Sequence, residues 1–379
     1  MEIKDVKELI QLRKELHQYP EIAHEEKKTA QKIIDFFQEL KPDESRTEIG
    51  GQGLIFTFQG KKKGKTLLFR SELDGLPIEE SNEFSHASKI QGKGHLCGHD
   101  GHMAILCGLG KILSKREFKG KVHLLFQPAE EVGEGASQML GDKKMQSIQP
   151  DFAFALHNLP QFKIGHVILK SGVFAAASTG IIFKLKGKPT HASHPKDGIN
   201  PSFAISQLIH LMHETPQMHT ALEEAFQITI VGFNAGQKAF GTSAADGELY
   251  ATLRAYNNSI MERICQLIEK KSAAIAKQNQ LELEISYTEG FAAVNNDEEA
   301  TRIVEKVCKK LRIKTHPADH PFPWSEDVGE FSKYYPLCLF GLGAGKNQPQ
   351  LHNQDYDFPD SLIEKGVDIF YQIIETANE

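Results

Sequence analysis

The feature that most constrains this chain is a rhythm. Over the first 160 residues, short apolar runs alternate with amphipathic stretches. Residues 5–17 and 24–40 carry helical periodicity, and "GLIFTFQ" and "KTLLFRSELD" read as strands. "HDGHMAILCGLGKIL" reads as a helix, with Met103, Leu106, Leu109 and Leu113 among its apolar positions. "GKVHLLFQPAEE" is a strand running into a loop, and "PDFAFALHNLP" is another. Apolar strands separated by helices imply a sheet covered on its faces. The expected class is therefore α/β, with a central, largely parallel or mixed sheet under helices. The run Lys61-Lys62-Lys63-Gly64-Lys65 falls between two of these strands and reads as a solvated hairpin turn.

From about residue 176 the rhythm changes. "STGIIFKLKGK" (strand) is followed by "NPSFAISQLIHLMHET" (helix), then the strands "QITIVGF" and "ELYATLRAY". "SIMERICQLIEKKSAAIAKQ" (helix) and "LELEISYTE" (strand) close the series. The order β-α-β-β-α-β is ferredoxin-like, a compact unit able to fold as an insertion. After "GFAAVNND" the α/β character resumes, with a helix near 297–311, a strand at "PLCLFGLG" and a closing helix from about 361. A chain of 379 residues exceeds what one core usually organises. The expected division is residues 1–175 with 291–379, and an inserted α+β domain over 176–290.

Composition removes several function classes. Net charge is −6 with acids and bases interspersed, so the basic footprint of a nucleic-acid binder is missing. No stretch approaches the roughly 18 apolar residues of a membrane span, and the N-terminal stretch reads as an amphipathic helix with no secretory apolar core. Five scattered cysteines, Cys97, Cys107, Cys265, Cys308 and Cys338, fit a reducing compartment better than a disulfide framework. A cytoplasmic location is expected.

Chemistry concentrates at the expected strand ends. "GHLCGHDGH" places Cys97 and His99 two residues apart in a loop, with Asp100 and His102 as further candidates. Glu130 and Glu131 follow an apolar strand, His157 follows "FAFAL", and His352 precedes "NQDYDF". Adjacent residues in extended chain point opposite ways. One carboxylate of the Glu130–Glu131 pair could therefore bind a metal while the other reaches bound water, if the backbone bends. Cysteine, histidines and glutamate together suit zinc, manganese, cobalt or nickel. Taken singly, each residue has a plainer reading: a lone histidine is usually structural, a Glu-Glu pair is usually a solvated face, and Cys107 belongs to an apolar helix. Cys97 as a thiol nucleophile stays open, although it needs a histidine partner and an oxyanion hole. Signatures for serine hydrolases, P-loops, dinucleotide binding and H-E-x-x-H metalloproteases do not occur.

The blocks "LRKELHQYPE", "RSELDGLPIEE", "HLCGHDGHMA", "LLFQPAEEVGEGA", "ALHNLP", "THASHPKDGINP", "WSEDVGEF" and "FGLGAG…LHNQDYDF" run in order from about residue 12 to 360. Together they resemble the aminoacylase-type metal-dependent amidohydrolases, which include hippurate hydrolases, indoleacetyl-amino-acid hydrolases and N-acetyl-diaminopimelate deacetylases. The resemblance implies two divalent metal ions per subunit, with Cys97, His99, Glu131, His157 and His352 as ligands. It implies Glu130 as general acid/base, Asp74 as a residue behind the ligands that orients the site, and His191 as a group stabilising the oxyanion. In the family this histidine often reaches over from a dimer partner. The inserted domain would serve as lid or dimerisation domain, Arg254 would contact the substrate carboxylate, and a homodimer or larger assembly is expected. The implied reaction is hydrolysis of N-acyl amino acids, N-acetyl, N-benzoyl or similar.

Two departures stand out. Relatives commonly have N-V-I-P where this chain has Gly241-Thr242-Ser243-Ala244, and Asp where Glu72 stands. Rival readings are a dipeptidase or carboxypeptidase of the same superfamily, or a non-catalytic binding protein on the same fold. Dipeptidase-type relatives usually carry an acid at the position of His157 and Asp in place of the Cys-Gly-His turn. Retention of all five ligand positions together with Glu130 speaks against a decayed enzyme.

Overall fold

The computed structural model describes residues 3–379. The chain forms two compact units, the first running to Phe174 and taking in Val294–Pro321 and Asp327–Glu379, the second comprising Ala175–Ala293 with Phe322–Glu326.

The first unit opens with helices α1 (Ile3–Gln18) and α2 (Lys27–Leu40), then strands β1 (Glu44–Ile49), β2 (Gly53–Gln59) and β3 (Lys62–Glu72). Helix α3 (His99–Leu113), β4 (Lys119–Gln127), α4 (Gly135–Gly141), β5 (Phe152–Pro160), β6 (Val167–Leu169) and β7 (Gly172–Ala175) follow. The second unit contributes β8 (Ala177–Lys186), β9 (Thr190–His191), α5 (Ser202–Met218), β10 (Phe226–Ala235), β11 (Thr242–Ser243), β12 (Asp246–Ala255), α6 (Asn258–Gln278) and β13 (Glu282–Phe291). The chain then returns with β14 (Val294–Asn296), α7 (Glu298–Lys310), β15 (Thr315–Pro317), β16 (Leu337–Gly345) and α8 (Ser361–Ala377).

The first unit's sheet has the order β1-β2-β4-β3-β5-β16-β6-β15. Its centre, β4, β3, β5 and β16, is parallel. All nine residues of β5 are buried, as a strand covered on both faces requires. Helix α3 packs into the same core through Met103, Leu106, Leu109 and Leu113, all fully buried. Phe37 of α2 stacks on Phe56 of β2 at 4.0 Å between ring centres, and each buried aromatic of this kind contributes roughly 1.5–3 kcal/mol.

One expectation is corrected. The lysine-rich run does not close a hairpin, because β4 lies between β2 and β3, antiparallel to one and parallel to the other. The apolar stretch Val122–Phe126 is buried throughout, and the slot between two strands satisfies hydrogen bonds along both of its edges. Lys61, Lys62 and Lys63 are solvent-exposed as expected.

The second unit is a four-stranded antiparallel sheet, β10-β12-β8-β13, with helices α5 and α6. Strand β12 alternates strictly, burying Gly247, Leu249, Ala251, Leu253 and Ala255, the pattern of a sheet with one covered face. Helix α6 answers with Met261, Ile264 and Ile268, one buried stripe at helical spacing.

Candidate metal centre

In a parallel sheet the carboxyl ends of the strands share one edge, and ligands gather there. Asp74 follows β3, Glu130 and Glu131 follow β4, His157 lies near the end of β5, and His352 lies in the loop after β16. Cys97 and His99 enter at the start of α3. Gly98 between them has φ +93°, and an added Cβ there would lie 2.5 Å from Asn158 Oδ1. Only glycine lets both neighbours turn to one point.

Cys97 Sγ lies 3.5 Å from His157 Nε2. His157 donates its Nδ1–H to the Asn158 carbonyl at 3.0 Å, which leaves Nε2 as a lone pair in the neutral ring. Burial, with His102 and His99 nearby, pushes the His157 pKa down to about 3. His99 repeats the arrangement, donating Nδ1–H to the Asp74 carbonyl at 2.9 Å. Its Nε2 is buried without a hydrogen-bond partner and lies 3.8 Å from both Glu130 Oε2 and Glu131 Oε1. His352 Nε2 lies 3.5 Å from the other oxygen of Glu131, on a left-handed residue (φ +66°) whose N–H donates to the Leu96 carbonyl at 2.9 Å.

Two of the sets of ligand atoms that gather within 4.8 Å are Cys97 with His99 and His157, and Cys97 with Glu131 and His352. They share Cys97. The two carboxylates make the field at His99 Nε2 strongly negative, a place that favours a positive charge. Burial disfavours charge on His99, yet Glu72, Asp74 and Glu131 outweigh it and raise its pKa to about 10. That field would hold a metal dication equally well, so the residues fit the expected ions.

The loop bearing the glutamates does bend. Ala129 has φ +49°, a left-handed alanine costing roughly 1–2 kcal/mol. Its N–H donates to Glu26 Oε1 at 2.7 Å, and the Glu131 N–H donates to Asp74 Oδ2 at 2.9 Å. Two hydrogen bonds at about 0.5–1.5 kcal/mol each offset the strain. Asp327 is a further buried anchor. It accepts from Arg70 and Gln127 at 2.7 Å and from Ala136 N–H at 3.0 Å. Its own N–H donates to Glu130 Oε1 at 3.4 Å. Sequence reading singled out neither Glu26 nor Asp327; Glu26 falls in a helical pattern, and the block "WSEDVGEF" offered the only signal for Asp327.

Two of the further candidates turn elsewhere. Asp100 accepts from Arg13 at 3.2 Å and pairs with His17 Nδ1 at 2.9 Å, while Arg13 also reaches Asp357 at 2.6 Å and Asp360 at 2.7 Å. Burial opposes ionisation of Asp100, but His17 and Arg13 hold its carboxyl well below the usual range. His102 pairs with Glu72 at 2.8 Å, so the departure at Glu72 faces His102 and Arg70.

Comparison with known proteins decides the family. A model described as peptidase family M20/M25/M40 matches residues 68–376. This chain belongs to that family. It is a hydrolase of the amidohydrolase branch. It is 31% identical to an N-acetyldiaminopimelate deacetylase of Priestia megaterium, over 94% of this chain and 97% of the relative. It is 29% identical to a hippurate hydrolase of Campylobacter jejuni, over 98% and 97%. A solved structure of a putative aminohydrolase from Staphylococcus aureus is 25% identical with a TM-score of 0.90, covering 99% of this chain and 97% of that one. A Bacillus subtilis dinuclear metal-binding peptidase of the M20 family shares the fold, at TM-score 0.82, 23% identity and 98% coverage of both chains. Among the described residues no helix is long and apolar enough to cross a membrane.

The family's remaining expected residues lie in the second unit. His191 sits in β9 and is exposed, and its Nδ1 accepts from the Ser193 backbone N–H at 3.2 Å. In the neutral ring the proton is then on Nε2. The replaced stretch Gly241–Ala244 supplies β11, where Thr242 pairs with His191 and Ser243 with Thr190. Arg254 donates to the Pro323 carbonyl at 2.9 Å and lies 3.2 Å from Ser325 Oγ. Phe322 and Trp324 stack at 5.1 Å. In the first unit, Phe358 is core, 1% exposed.

Proposed function

We propose that this enzyme hydrolyses the amide bond of N-acyl amino acids, releasing a carboxylic acid and an amino acid. The observation that carries the reading is the convergence of Cys97, His99, His157, Glu131 and His352 around Glu130 at the strand ends. The first five would hold two divalent ions of zinc, manganese, cobalt or nickel type. Bound ions would polarise the amide carbonyl and lower the pKa of the attacking water towards ~7. Glu130 takes the water's proton during attack and delivers it to the departing amine. Asp74 orients His99 and fixes the amide of Glu131. His191, protonated on Nε2, donates to the oxygen that gains charge in the transition state.

For the substrate carboxylate the assigned contact is Arg254, in a second unit serving as lid or dimerisation domain over residues 176–290. The Gly241–Ala244 stretch runs beside His191, so the departure there points to a substrate preference shifted from the relatives'. We infer a homodimer or larger assembly; its support is the edge strand β10, whose Val231 and Phe233 are exposed. The relatives are named for deacetylation of N-acetyldiaminopimelate and hydrolysis of hippurate, and these define the first substrates to try. The test is amine release from a panel of N-acetyl, N-benzoyl and longer N-acyl amino acids, comparing metal-loaded wild type with Glu130→Gln. Turnover of a panel member by wild type, abolished in a variant that keeps its metals, supports the reading. Equal turnover by both removes Glu130 from it.

A further inference from the structure

The adjacent glutamates pose a geometric problem. Neighbouring side chains in extended chain diverge, yet Glu130 Oε2 and Glu131 Oε1 both lie 3.8 Å from the same nitrogen of His99. The backbone solves this at Ala129, the one residue of Ala129-Glu130-Glu131 with positive φ. The turn is closed from behind by Gly133 N–H donating to the Glu130 carbonyl at 2.8 Å and Gly135 N–H to the Ala129 carbonyl at 3.0 Å. From the front, alternate amides of the segment are each taken by a buried carboxylate, Ala129 by Glu26 at 2.7 Å and Glu131 by Asp74 at 2.9 Å.

We infer that Glu26 is a positioning residue for the hydrolytic reaction, holding the Ala129 amide so that the turn aims Glu130 and Glu131 at one point. The inference rests on the roles proposed above for those two glutamates. Glu26 itself touches none of the reacting groups. It sits at the N-terminus of α2, fully buried, and makes no side-chain hydrogen bond that caps its own helix. A helix-terminal glutamate serving only its helix would face that helix's first amides or solvent. This one reaches across to a residue 103 positions away. The carboxylate is also deep enough that burial raises its pKa, an unfavourable placement that needs a specific acceptor role to explain it.

What Glu26 supplies is an acceptor at a fixed reach rather than a charge. Glu26→Gln keeps the acceptor oxygen at the same distance. Glu26→Asp keeps the charge but withdraws it by one methylene, about 1.5 Å, beyond hydrogen-bond range. Glu26→Leu removes both. The expected order is Gln within about 3-fold of wild-type kcat, and Asp and Leu down about 30–100-fold with KM changed less than about 3-fold, as for a misaimed catalytic group. The second measurement is hydrogen–deuterium exchange of the metal-free proteins. The peptide spanning residues 128–135 should exchange faster in the Asp and Leu variants, with the remaining peptides unchanged, and as in wild type in the Gln variant.

Wild-type exchange of that peptide in the Asp variant, or a Gln variant as impaired as Leu, overturns the inference. Should Leu fail to fold, the Gln and Asp pair carries the same comparison. Failure of the acid/base reading is separable, because an active Glu130→Gln would refute that role while the exchange result at Glu26 uses no activity at all.

Discussion

In the first unit, Asp74, His99 and Glu130 lie between 0% and 4% exposed, each fixed by a contact from a different strand or helix end. In the second unit, His191 is exposed and held by a local turn, through Ser193, and by the two-residue pairing of β9 with β11. Both regions carry residues assigned to one reaction, under opposite physical regimes. Low dielectric and long-range anchoring make the first region preorganised, so charge there acts strongly and misplacement is costly. A solvated histidine on a short strand can adapt, but each of its interactions is worth less. In the proposed reaction, proton transfer would belong to the rigid edge of the sheet, and adjustment to the substrate to the second unit.

This contrast can be broken at several points. Glu130→Gln should lower kcat by about 10³–10⁴-fold with metal content unchanged, read by steady-state kinetics beside elemental analysis. A loss under tenfold would place the proton transfer elsewhere. Arg13→Leu takes from buried Asp100 one of its two cationic partners, leaving His17, and should destabilise the first unit by about 3–5 kcal/mol, measured by urea unfolding. An unchanged midpoint would show that the buried network is not what anchors α3 to α1. His191→Ala should cost about 100-fold in kcat and leave thermal stability within about 0.5 kcal/mol, as an exposed residue must. A large fall in Tm would contradict the contrast between the two regions.

A further test is a pH dependence. Burial opposes protonation of His17, but Asp100 and Glu80 outweigh it and raise its pKa to about 9. A group raised from 6.5 to about 9 on folding stabilises fully below pH 6.5 and loses that contribution as pH rises through 9. The metal-free protein should therefore lose roughly 3 kcal/mol across that window, and His17→Gln should flatten the profile. Identical slopes in both proteins would remove His17 from the network's energetics.

Sequence patterning reached the elements that are long and strongly periodic. The β2 and α3 segments read from it coincide with Gly53–Gln59 and His99–Leu113, because amphipathicity and apolar runs are local properties. The order β8, α5, β10, β12, α6, β13 was legible for the same reason. Short pieces such as β1 and α4 carry too few side chains for a period to register. The lysine run misled because a turn between two strands says nothing about whether a third strand inserts between them.

At the site, Cys97, His99, Glu130, Glu131, His157 and His352 were legible as residue types in short motifs, since ligand chemistry depends on the side chain. What the tertiary structure alone decided is how those residues are held. Glu26 on the Ala129 amide, Asp74 on Glu131, and Asp327 beside Glu130 and Arg70 are bonds across 57 to 257 positions. Hydrogen bonds of that span leave no periodicity in the chain, because their partners are chosen by the order of strands in the sheet. The sequence by itself determined which atoms are available for the chemistry, and strand order and the bend at Ala129 decided where those atoms meet.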